Sequence, residues 1–358
     1  MNYSDIDIYR SDVDSVLQEQ FPWNRLDGKN ILVTGATGLI GTFLVDVLMM
    51  NPSRTYRLWV CGRSIDGASK RFGQYMDDPA FSFFVQDLAQ PFSSDVDFDY
   101  IIHTAGNSFP AAFSSDPVGT LRGTVLGTDN LLRYGTEHKM ERMLYVSSGE
   151  VYGDGDGVTW GEQDSGYVDP TNPRACYPTA KRAAENLCAC YHSQYGTDVV
   201  TVRPSHTYGA TFTDSDNRAY AQFLRNAVKK EDIVLKSDGK QERGYCYVAD
   251  CVSAILYVLF YGESGQAYNV TDENSFISIR QLAETIAGYS GTNVLFQIPD
   301  DKESKGYSTL KRTQLDNRRL KALGWSAKTD FKCGLQKTLD ILKHKNLPVN
   351  RPDNNKRQ

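Results

Sequence analysis

Tyr177 and Lys181 stand four residues apart in the run Tyr177-Pro178-Thr179-Ala180-Lys181, downstream of Ser148. A tyrosine phenol ordinarily titrates near pH ~10, so as a base at neutral pH it needs its phenolate stabilised. A lysine four residues further along a helix sits one turn away on the same face. Its ammonium, with the positive charge of a nicotinamide, is expected to lower the Tyr177 pKa. Ser148 leaves the end of an apolar run and can hydrogen-bond the reacting hydroxyl. The implied chemistry is proton removal from an alcohol while hydride leaves for a nicotinamide.

The partner of that chemistry is the turn Gly35-Ala36-Thr37-Gly38-Leu39-Ile40-Gly41, between an apolar strand and a helical pattern. Such a turn aims backbone N–H groups and the positive helix end at a pyrophosphate. Gly35 permits the tight turn, Gly38 the approach of phosphates, and Gly41 close packing of helix on strand. NAD binders place an acid at the end of the second strand for the ribose hydroxyls. Here the run is Val60-Cys61-Gly62-Arg63-Ser64. Arg63 and Ser64 suit a 2′-phosphate, which tilts the choice between NAD and NADP towards NADP. Asp87-Leu88 follows the third strand and is placed to reach the adenine amine. Thr104-Ala105-Gly106 would pass beneath the cofactor with small side chains, while His103 before them reads as structural.

These residues need a scaffold. Apolar strands are expected at 30–34, 57–60, 83–85, 100–102, 143–146 and 199–202, most separated by helical stretches. Leu39, Ile40, Phe43, Leu44, Val47 and Leu48 recur at helical spacing. The β-α alternation predicts an α/β fold with a doubly wound parallel sheet. After Arg203-Pro204 the pattern loosens into a smaller, irregular part with helices over 219–230 and 279–288. Residues 1–28 read as a polar lead-in, an extra helix and turn packed on the body through Phe21-Pro22-Trp23. The stretch from about 348 reads as disordered, and no internal repeat is visible.

The chain has 358 residues, more than one average domain of roughly 100–200. A net charge of −5 argues against a nucleic-acid or anionic-membrane surface. No stretch approaches the roughly 20 apolar residues of a membrane helix, and the polar, acidic start is not a signal peptide. Seven cysteines form no Cys-x-x-Cys pair. They read as reduced thiols of a cytoplasmic protein. No metal site is expected.

The chain resembles the extended short-chain dehydrogenase/reductases that modify nucleotide sugars, the NAD-dependent epimerase/dehydratase family. The resemblance covers roughly residues 29–340. It rests on Gly35-x-x-Gly38-x-x-Gly41, Ser147-Ser148-Gly149-Glu150-Val151-Tyr152-Gly153, Tyr177-x-x-x-Lys181, Arg203-Pro204-Ser205-His206-Thr207-Tyr208-Gly209 and Arg243-Gly244-Tyr245-Cys246-Tyr247-Val248-Ala249-Asp250. It implies a Rossmann domain (29–203 and 246–271), a nucleotide-sugar-binding domain (204–245 and 272–345), an N-terminal extension (1–28) and a flexible tail (346–358). It also implies cofactor contacts from Thr37, Leu39, Ile40, Ser147 and Pro204, substrate contacts from Asn107, Ser148, Glu150 and His206, and an Arg243 that pairs with the diphosphate. Residues 219–223 and 234–235 would frame the base, and helices over 120–137 and 177–194 would form a homodimer.

Every subtype begins by oxidising the sugar C4 hydroxyl and differs in the fate of the ketone. The 4,6-dehydratases resemble Thr-Asp-Glu at 148–150, whereas this chain has Ser148-Gly149-Glu150 and lacks the acid. UDP-glucuronate decarboxylases carry a Glu like Glu150 and look similar at 116–121 and 241–248. The resemblance therefore ranks decarboxylase first, 4-epimerase second and dehydratase third, with a 4-keto reductase or a non-enzymatic NADP sensor behind. Two departures, His206 and Thr124 where the family usually has Asn, bear on the sugar and its nucleotide.

Overall fold

Parallel strands covered on both faces are written as continuous apolar runs, and each of the six expected runs forms a strand. The computed structural model describes residues 2–106, 108–155, 157–297 and 312–346. Its strands are β1 (Asn30–Thr34), β2 (Arg57–Gly62), β3 (Phe81–Val85), β4 (Tyr100–His103), β5 (Arg142–Val146), β6 (Thr159–Trp160), β7 (Val199–Pro204), β8 (His206–Tyr208), β9 (Ile233–Leu235), β10 (Glu242–Tyr247), β11 (Ala267–Val270), β12 (Phe276–Ser278), β13 (Val294–Phe296) and β14 (Arg312–Leu315). Asn107 and the tail beyond residue 346 lie outside the described residues.

Seven strands form one sheet in the order β3-β2-β1-β4-β5-β7-β11, every neighbouring pair parallel. The seventh, Ala267–Val270, is too short to carry a pattern of its own and joins outside β7. Chain order reverses between β1 and β4. In such a sheet a ligand binds beyond the carboxyl ends of the strands at that reversal. Thr34, His103 and Val146, the last residues of β1, β4 and β5, therefore point the chain at a common crevice.

Two helices escape the periodicity reading. Val248–Tyr261 is buried along almost its whole length, against the helix Leu39–Met50, β7 and the N-terminal helix. A helix apolar on every side shows no stripe. Phe331–Asn346 is the second, amphipathic but beyond the region where the pattern was legible. The smaller sheet sets β12 antiparallel and β14 parallel to the start of β10, with β8 parallel to its end and β6 parallel to β14. It carries His206 and Arg243.

Residues 2–28 pack on this frame as a helix, Asp7–Leu17, and a short turn, Trp23–Leu26. The Tyr9 hydroxyl donates 2.5 Å to Asp46, which also accepts from Tyr75 at 2.8 Å. Asp12 accepts from Tyr247 and from Lys337, each at 2.6 Å. Among the described residues no helix is long and apolar enough to cross a membrane. All seven cysteines are free thiols.

Candidate active site

Gly35 turns with a φ of +66°, a region that side chains rarely enter, and a Cβ there would fall 2.5 Å from the Ala105 backbone. A Cβ on Gly41 would fall 2.5 Å from the Gly35 carbonyl oxygen. The turn thus presses the start of the helix Leu39–Met50 onto β1 and β4. That helix has no side-chain cap, so its first N–H groups are open to an anion.

The turn floors a cleft of about 850 Å³. Of the residues singled out from sequence, Gly35, Thr37, Gly38, Leu39, Ile40, Gly41, Arg63, Asp87, Leu88, Thr104, Ala105, Gly106, Ser147, Ser148, Tyr177, Lys181 and Pro204 all line it. Ser64 does not. Its hydroxyl caps the helix Ile65–Phe72, accepting from the Gly67 N–H at 3.2 Å. Glu150, His206 and Arg243 lie beyond the wall of this cleft. His103 is buried between Thr34 (2.7 Å) and Thr128 (3.3 Å), and burial pushes it down to about 3. It is a neutral structural ring, as expected.

Tyr177 and Lys181 occupy the first turns of the helix Cys176–Tyr195, which a turn at Pro173–Ala175 leads into and Gly196 ends in the left-handed region. Both are buried. Lys181 Nζ donates 2.8 Å to the Val146 carbonyl at the end of β5 and lies 5.9 Å from the Tyr177 ring centre. Burial lowers the lysine to about 8. In the ligand-free site Tyr177 is raised to about 12, not lowered. Burial dominates, Glu150 adds to it, and Ser148, Arg218 and Arg174 pull the other way. The expected depression by Lys181 is missing because its ammonium is turned to the Val146 carbonyl.

Around and beyond Tyr177 lie Arg174 and Arg218, which spacing did not reveal, and Arg243, which the resemblance implies. Arg174 stacks on Phe113 (4.6 Å), and Phe113 stacks in turn on Tyr177 (4.7 Å, 20° between planes). Arg174 Nη1 pairs with Glu150 at 3.5 Å, while its buried Nε has no hydrogen-bond partner. Arg218 lines the cleft and is fixed by Asp216, which takes its Nε at 3.0 Å and its Nη2 at 2.6 Å. Arg243 is buried, donating 2.8 Å to its neighbour's carbonyl, within the field of Glu150. His206 faces Tyr245 across β8 and β10, and burial, then Arg243 and Arg218, drive it down to about 3. Arg174, Arg218 and Arg243 thus concentrate positive charge around and beyond Tyr177, and His206 adds none at neutral pH.

The sequence matches the NAD dependent epimerase/dehydratase family over residues 31–271, two thirds of its length. The chain belongs to that family. Among curated relatives, UDP-glucuronic acid decarboxylase 6 of Arabidopsis thaliana is 31% identical over 309 residues, covering 85% of this chain and 86% of that one. UDP-glucuronic acid decarboxylase 1 of Xenopus tropicalis is 29% identical over 316 residues, covering 87% and 72%. A dTDP-glucose 4,6-dehydratase of Streptomyces venezuelae, solved with NAD bound, superposes with a TM-score of 0.77 at 23% identity, covering 88% of this chain and 97% of that one. That last likeness is one of fold.

The cleft fits the dinucleotide of the family's description. Its floor is a glycine turn at an uncapped helix, and the buried hydroxyls of Thr120, Ser147 and Ser205 line it with no protein partner. A pyrophosphate and a carboxamide supply what those groups lack. Arg174 and Arg218 are the residues that sequence reasoning missed. Arg174 stands three places before Tyr177 and Arg218 just before the helix Ala219–Lys229, with no spacing signal joining them.

Proposed function

We propose that the protein decarboxylates a UDP-hexuronate, UDP-glucuronate first, by way of a transient C4 ketone. The observation that carries this reading is the pair Arg174 and Arg218 near Tyr177, with Arg243 further out beside His206 and Glu150, a cationic set that suits a sugar bearing a carboxylate as well as a diphosphate. The names of the curated relatives support it.

Tyr177, deprotonated, takes the C4 hydroxyl proton, and Ser148 holds the C4 oxygen. A bound nicotinamide supplies the acceptor for the C4 hydride and later returns it. The carboxylate then lies β to a carbonyl. Its C5–C6 bond breaks, CO₂ leaves, and the electron pair passes to the C4 oxygen as an enolate, which Tyr177 and Ser148 stabilise. C5 then takes a proton, and Tyr177 gives its own back to the C4 oxygen as the alcohol re-forms. Glu150, paired with Arg174, would orient the ring.

Position 149 supports this fate of the ketone over elimination. A Cβ on Gly149 would lie 3.1 Å from Leu315 Cδ1 and 3.3 Å from the Pro204 carbonyl oxygen, so the dehydratase acid would be crowded there. Arg63, exposed at the cleft mouth with no acid beside it, favours NADP. The helices Pro117–Glu137 and Cys176–Tyr195 pack side by side and would form a homodimer face. Cytoplasmic residence accords with the free thiols.

The test is to incubate the protein with UDP-glucuronate and NAD or NADP and read product mass. Loss of CO₂ without net cofactor reduction is the expected result. Loss of water, or unchanged mass with an inverted C4 by NMR, replaces the proposal with a dehydratase or an epimerase.

A further inference from the structure

Residues 2–28 precede the family match yet reach the loop that carries Arg218. The Tyr3 hydroxyl donates 3.0 Å to the Ala210 carbonyl. The Tyr3 ring is clasped by two cations, Lys345 Nζ at 4.3 Å and the Arg71 guanidinium at 5.4 Å from its centre. Arg71 also donates 3.1 Å to the Phe212 carbonyl. Between them Thr211 donates 2.7 Å to the carbonyl of Leu39, the first residue of the helix Leu39–Met50. Arg225 closes the far side, its guanidinium 5.5 Å from the Phe212 ring centre and bonded to the Asp216 carbonyl. Ala210, Thr211, Phe212 and Asp216 are all buried although they lie in a loop. A loop so held has few conformations left, and Asp216 passes that constraint to Arg218 through two hydrogen bonds to its guanidinium.

We propose that Tyr3 is a positioning residue of the sugar pocket: with Arg71 it straps residues 209–218 against the body and so fixes Arg218 beside Tyr177. The pocket is then completed by a segment remote in sequence, and sugar binding depends on it while cofactor binding does not. The proposal stands on the geometry of the loop, and only its substrate readout rests on the decarboxylase reading.

The test compares Tyr3→Phe with Tyr9→Phe by hydrogen exchange and by kinetics. Tyr3→Phe keeps the ring between its cations and removes only the hydroxyl. Tyr9→Phe removes an anchor of the same N-terminal segment, on the helix Asp7–Leu17, that points to Asp46 instead. Exchange in peptides covering 209–218 is expected to rise about fivefold in Tyr3→Phe, the factor one ordinary hydrogen bond supplies, and to stay within twofold of wild type in Tyr9→Phe. The KM for UDP-glucuronate should rise by a similar factor, with the NAD dissociation constant unchanged. Unaltered exchange at 209–218 in Tyr3→Phe, or an equal rise in both variants, overturns the proposal. Either result is read without turnover, so it stands apart from a failure of UDP-glucuronate as the substrate.

Discussion

Replacing Lys181 with methionine should destroy turnover and yet stabilise the ligand-free protein at neutral pH. Burial lowers the lysine from 10.5 to about 8. At ~1.4 kcal/mol per pKa unit, holding the ammonium charged costs ~3 kcal/mol below pH ~8. Methionine keeps most of the stem's volume and removes that cost. It also strands the Val146 carbonyl, which now accepts from Nζ at 2.8 Å, a loss of ~2 kcal/mol for a buried unpaired acceptor. The net gain is ~1–2 kcal/mol at pH ~7. Because the folded pKa lies below the unfolded one, the lysine's contribution is most favourable above pH 10.5 and declines as pH falls towards 8. The advantage of methionine therefore vanishes near pH ~9 and reverses by pH ~10. Urea unfolding of both proteins at three pH values measures this. A wild type that gains on the variant as pH falls from ~10 to ~8 would refute the buried-charge argument.

Tyr177→Phe should abolish turnover and leave cofactor affinity within a few-fold, read by rates and by NAD titration; activity near wild type would end the assignment of Tyr177. Glu150→Gln removes an anion that raises the Tyr177 phenol, so the limb of the kcat/KM pH profile that reports this phenol should move to lower pH; a shift upward contradicts the electrostatics. Gly149→Asp should create no dehydratase and should destabilise the protein by ~1–3 kcal/mol, because its Cβ crowds Leu315 Cδ1 and the Pro204 carbonyl. Loss of water from the substrate would show that room exists.

The sheet was legible because its strands are apolar runs bounded by turns, and the cofactor end because a glycine turn and a Tyr-x-x-x-Lys pair are local patterns. Local spacing carries no burial. That is why spacing does not show that burial raises Tyr177 in the ligand-free site, or that the Ser64 hydroxyl caps a helix. The helix Val248–Tyr261 hid because burial on every side leaves no stripe. Arg174 and Arg218 hid because each takes its role from a partner distant in sequence or from loop geometry. Arg174 finds Phe113 and Glu150 across the fold, and only folding shows Arg218 beside Tyr177.

The N-terminal helix imposes an order on synthesis. Asp12, on its buried side, leaves the ribosome well before two of the groups that close on it. Tyr247 and Lys337, which close on Asp12, follow 235 and 325 residues later. At ~5–20 residues per second the second of these partners emerges ~20–60 s after Asp12. For that interval Asp12 stays without these two partners, although Tyr9 of the same helix meets Phe43 and Asp46, no more than 37 residues further along the chain. The contacts of Asp12 therefore close only once the Lys337 region has been made, which ties this helix to both ends of the described fold.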